Sequence, residues 1–135
     1  MNVLDSLQGL LPFALYFGLG YLLTFSFLFI YTKITPHCEW TLMKSNNTAA
    51  SLGFAGALIG FVLPISSAAV NAVSLVDYII WAVVAGIIQL IAFFSVRFYM
   101  PTLSNKIEQN QISAGAFLGA ASLASGILNA ACMTY

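Results

Sequence analysis

The chain has 135 residues, 61% of them apolar, and its four basic and four acidic side chains cancel to a formal charge of zero. A mean hydropathy of +0.96 excludes a water-soluble domain, because such domains carry about 25% charged residues where this chain carries 6%. Zero net charge without a basic patch excludes nucleic acid as a partner, since phosphate binding needs clustered cations that release counterions.

The charged residues fall at or beyond the ends of four apolar stretches, 11–32, 48–71, 78–97 and 113–133. Each approaches the ~20 residues with which a helix crosses a ~30 Å hydrocarbon layer. The predicted fold is all-α, an integral membrane four-helix bundle in one membrane domain, 1–135, with membrane lipid as its surroundings.

The segment before the first stretch holds Asp5 and no basic side chain, and the apolar run is too long for a signal core, so it is expected to remain in the mature protein. The first span is dense in bulky aromatics, among them Phe13, Phe17, Tyr21 and Phe25, and is expected to face lipid. Tyr31, Trp40 and Tyr99 at one end, and Tyr78 and Trp81 at the other, suit the headgroup belts where amphipathic rings settle.

After the first span come Lys33, Thr35, His37, Cys38, Glu39, Trp40 and Lys44. His37 and Cys38 complete no zinc ligand set, so no metal is expected. Glu39 is expected to pair with Lys33 or Lys44, or with a protein partner. Cys38 and Cys132 lie beyond opposite faces of the membrane and cannot bridge within one chain. Asn47 is expected to cap the second span.

That second span carries small residues three and four apart, with Gly53, Ala57 and Gly60 as its packing face; the fourth carries Gly115, Gly119, Ser122 and Gly126. Bringing apolar helices together in lipid gains no hydrophobic energy, so close backbone approach along such faces must supply the packing. These two spans are expected to form the buried pair, and the third to face lipid more. Polar groups within the spans are few: Ser67, Asn71, Gln89 and Asn129 are the candidates for a polar seam or pore, beside Pro64. None of them titrates near neutral pH, which disfavours proton coupling.

A shift of 64 residues lays Lys33 on Arg97, Asn46 on Asn110 and Ala50 on Ala114, while Pro36 and Pro101 match with one residue of slippage. Two parallel two-helix repeats are therefore expected, about 11–71 and about 78–133, related by an axis near the membrane normal. Lys33, Lys44, Arg97 and Lys106 all lie in the two segments linking first to second and third to fourth span. Basic residues favour cytoplasmic loops, so the predicted topology is N-out and C-out.

The residues ITPHCEW, KSNNTAASLGFAGALIGFVLP and SAGAFLGAASLASGILNAACM resemble the YjfL-like bacterial inner-membrane proteins of the domain-of-unknown-function 350 family. The resemblance covers nearly the whole chain and implies an inner-membrane location and two copies of a membrane repeat, with no established activity. The family's recurring Thr, Glu and Asn-x-Ala-Ala pattern falls on Thr35, Glu39, Asn47, Ala49 and Ala50. Gln111 to Ala114 depart from it in the second half.

No Ser-His-acid set, phosphate-cradling loop or carboxylate pair appears, so neither an enzyme nor a cofactor is expected. The reading that follows is a homo-oligomeric structural or interaction module whose cytoplasmic loops recruit protein partners. Its alternative is a small channel or transporter lined by Ser67, Asn71, Gln89 and Asn129.

Overall fold

The protein is described from a computed structural model covering residues 3–35 and 39–133. Those residues form seven helices: α1 (Val3–Gln8), α2 (Leu10–Ile34), α3 (Glu39–Lys44), α4 (Thr48–Asn71), α5 (Leu75–Tyr99), α6 (Leu103–Glu108) and α7 (Ile112–Cys132). Four apolar helices are long enough to span a membrane, α1 and α2 forming the first together. Pro36, His37 and Cys38 lie outside the described residues.

The helix starts repeat at nearly constant spacing. α2 and α5 each run 25 residues and begin 65 apart; α3 and α6 each run six and begin 64 apart; α4 and α7, of 24 and 21 residues, also begin 64 apart. Local chemistry at the joints follows the same spacing. Asn46 and Asn110 both take positive φ, 65° and 58°, the left-handed conformation that asparagine tolerates better than other side-chain-bearing residues. Behind them, Asn47 N–H donates to Leu42 O and Gln111 N–H donates to Lys106 O, each at 2.9 Å. These bonds close the short helices as Schellman turns.

α4 and α7 make the most extensive contact in the molecule, and α5 packs on both. Ala49 lies by Gly115, Gly56 by Gly119 and Gly60 by Gly126, so α4 and α7 run parallel. α2 packs more sparsely, on α4 and α5. Phe27 stacks flat on Phe61 with ring centroids 4.3 Å apart.

Two expectations are corrected. α5 does not face lipid more than α7: Ala82, Ala85, Gln89, Ala92, Phe93 and Val96 make one buried stripe, because the helix lies in the groove between α4 and α7. Tyr31 and Tyr78 do not sit in headgroup belts, being 1% and 2% exposed. Tyr31 packs among Phe27, Phe54 and Phe93, and Tyr78 on Tyr16. Trp40 and Tyr99 are exposed as a belt requires.

Candidate functional site

The α4–α7 seam is built from glycines because its backbones touch. A Cβ on Gly115 would fall on the Ala49 carbonyl, one on Gly126 on the Gly60 carbonyl, and one on Gly56 within 2.6 Å of the Gly119 carbonyl carbon. Gly119 lies against Leu52, Gly60 against Ser122, and Gly53 meets the Leu118 side chain instead. Ala57 is fully buried. Gly56 was absent from the predicted packing face; its signal was the four-residue spacing to Gly60.

Pro64 has no N–H for the Gly60 carbonyl four residues before it, yet α4 runs on through it. Gly126 turns an α-hydrogen toward that carbonyl, a contact of the C–H···O kind worth about 0.5–1 kcal/mol. The proline and the glycine facing it thus act together.

At mid-depth, Gln89 is 0% exposed, and its Nε2 donates to the Ser122 carbonyl at 3.0 Å. A Cβ at Gly60 would come within 2.7 Å of that nitrogen, so Gly60 makes room for the glutamine to reach α7. Gln89 Oε1 and Ser122 Oγ are buried without hydrogen-bond partners.

Toward the C-terminal ends of α4 and α7, Ser67 Oγ donates to the Ala130 carbonyl at 3.3 Å, and Asn71 Nδ2 donates to the Ser67 carbonyl at 2.9 Å. Asn129 lies apart from these. It lines a groove of roughly 510 Å³ between α5 and α7, together with Ser95, Ser125 and Cys132, and its Nδ2 is buried without a hydrogen-bond partner. The four predicted seam residues therefore occupy three separate places.

At the opposite end, the family-pattern residues make two clusters. Asn47 Oδ1 accepts from Ala50 N–H at 2.8 Å, capping α4, while its Nδ2 donates to the Ile107 carbonyl at 2.8 Å. In the other direction, Ala49 N–H donates to Asn110 Oδ1 at 3.0 Å. The two halves of the chain are clasped by this exchange of asparagines, and Asn110 has a role that its pairing with Asn46 at the 64-residue shift only hinted at.

The second cluster holds Thr35, whose hydroxyl lies 2.6 Å from Glu39 Oε1 and 3.0 Å from the Tyr31 carbonyl. Glu39, expected to pair with Lys33 or Lys44 or with a protein partner, is 1% exposed and turned into the bundle, while the Lys33 ammonium lies 5.3 Å above the Phe29 ring. Among the described residues, no group of three His, Cys, Asp or Glu side chains gathers for a metal.

The family described as Domain of Unknown Function (DUF350) matches residues 5–133. Two proteins called UPF0719 inner membrane protein YjfL, from Escherichia coli strain K12 and Escherichia coli O157:H7, are each 57% identical over 135 residues, covering 100% of both chains. No solved structure matches.

Proposed function

The chain belongs to the DUF350 family, and from that premise we propose that it is an inner-membrane structural module that works as a homo-oligomer. The inner-membrane placement rests on the name of the relatives and on four helices long and apolar enough to span a bilayer. The observation that carries the oligomer is the open face of the α4–α7 seam. α5 covers one side of that pair. α2, its counterpart at a 65-residue offset, packs on α4 and α5 and leaves the other side to Leu52, Ile59 and Ile127, which are 40%, 49% and 53% exposed. Exposed alanines at 55, 116 and 120 flank them, so a second copy could approach closely there.

Helix starts 64 or 65 residues apart and the paired asparagine turns support a plan of two parallel helix pairs. The basic residues at the α3 and α6 end support an orientation with both termini outside. A channel is less well supported, because the polar residues expected to line it lie in three places.

The test is disulfide crosslinking in native membranes, with Ile59→Cys or Ile127→Cys in a background lacking Cys38 and Cys132. Covalent dimers are the expected product, and uniform monomer overturns the oligomer.

A further inference from the structure

The groove of roughly 510 Å³ between α5 and α7 has a counterpart in the first half of the chain. Ile88, Ile91, Ala92 and Ser95 wall it from α5, and Ser125 faces them from α7. Stepping back 65 residues along α5 and 64 along α7 leads to Leu23, Ser26, Phe27 and Ile30 of α2 and Phe61 of α4, which wall a cleft of roughly 280 Å³. That first cleft is closed within the chain, by Ala82, Val83, Gly86, Ile87 and Leu90 of α5. Among the described residues, only α5 and α7 line the second.

The cover that the second groove lacks is present on α2. Sixty-five residues before the five covering positions of α5 stand Phe17, Gly18, Tyr21, Leu22 and Phe25, and all five are exposed. Phe17, Tyr21 and Phe25 rise on successive turns with ring centroids 5.1 and 6.1 Å apart, a ridge already ordered within the helix. A Cβ on Gly18 would meet nothing within 4 Å.

Size is exchanged between the two places. Inside the chain, Gly86 lies against the stacked rings of Phe27 and Phe61, where a Cβ would stand 3.6 and 3.8 Å from them. At the open groove, Ala92 and Ser125 hold the positions of the two rings, and Tyr21 holds that of the glycine. The ring missing from one wall is supplied by the other. In lipid, helix association rests on such close packing rather than on the hydrophobic effect.

We infer that the α5–α7 groove is the seat of α2 from a second copy of this chain, with the partner's ridge centred on Ala92 and Ser125. Copies joined in this way follow one another head to tail, a heterologous contact that builds a ring or an open row. A step along the repeat reverses no helix, so the second copy keeps the one membrane orientation that all copies share. This contact rests on the oligomeric reading above and gives it a direction. It uses residues other than Leu52, Ile59 and Ile127, so either contact can fail without the other.

Two differently tagged full-length chains, one carrying Phe25→Cys and the other Ile91→Cys, test the seat by crosslinking in native membranes. Both lack Cys38 and Cys132. The first-half counterparts of these positions, Leu90 and Ser26, line one cleft. Mixed dimers are expected only on co-expression, and a chain bearing both cysteines should give a ladder beyond the dimer. Adding Ser125→Phe to the Ile91→Cys chain restores the ring of the first half and should cut mixed dimers about tenfold, an overpacking of ~1.4 kcal/mol. Adding Tyr21→Ala to the other chain should bring them back. Ile59→Cys dimers without any mixed product would leave the oligomer standing and overturn this seat. Efficient dimers of either single-cysteine chain alone, the mark of a two-fold contact, overturn it too, as does Ser125→Phe without effect or without rescue. Monomer in every lane overturns both contacts.

Discussion

Asn47 concentrates three bonds in one side chain: the cap on Ala50 N–H and donations to the Ile107 and Glu108 carbonyls at 2.8 and 3.3 Å. Only the cap was legible in the sequence, because capping is local and depends on residues three positions apart. The bonds to α6 span 60 residues and depend on how the halves meet, which periodicity does not encode. Replacement separates the two roles. Asn47→Ala should lose about 2 kcal/mol of stability, half from the cap and half from the clasp. Asn47→Asp keeps an acceptor for Ala50 but has no N–H to donate, and sets a carboxylate against two carbonyls; we expect it to be no more stable than Asn47→Ala. Thermal unfolding in detergent measures both. An aspartate variant as stable as wild type would show the cross-chain bonds to be without weight.

The seam of α4 and α7 is packed backbone to backbone through its glycines. Small residues at intervals of three and four showed which helices must pair, but a whole face of α4 is small, so composition did not choose between the stripe through Ala57 and the one through Gly56. The backbone contact chooses Gly56. The fate of α5 was hidden for a similar reason: its alanines and Gln89 form a buried stripe within a helix whose other faces are apolar enough to suggest lipid all round. Substituting glycines therefore discriminates between contact and mere composition. Gly119→Leu must displace the Leu52 carbonyl, which a Cβ would already meet at 2.5 Å; such overpacking costs about 1–3 kcal/mol where some relaxation is possible. Gly18→Ala in α2 meets nothing within 4 Å and should be neutral, or stabilising by up to ~1 kcal/mol through better helix propensity. Equal melting temperatures for the two variants would contradict a contact-driven seam.

For the molecule as a whole, charge placement carried the most information, because in a membrane a charge is expensive everywhere except at the ends of a span. That cost made four spans legible with bounds within about three residues of the helices α2, α4, α5 and α7. It gave no direction to Glu39, since a residue at the membrane edge can turn inward or outward at the same sequence position; its carboxylate lies 2.6 Å from the Thr35 hydroxyl. The same asymmetry is the ground for the proposed orientation. α3 and α6 hold Lys44 and Lys106, with Lys33 and Arg97 in the last turns of α2 and α5, whereas the other end bears only carboxylates. Since cytoplasmic loops favour Lys and Arg, the proposed orientation has α3 and α6 inside the cell. In a background lacking Cys38 and Cys132, an impermeant maleimide applied to intact spheroplasts should leave Asn105→Cys unlabelled and modify Val73→Cys in the α4–α5 turn. Rupturing the membrane should make both react. The reverse pattern in intact cells would invert the orientation.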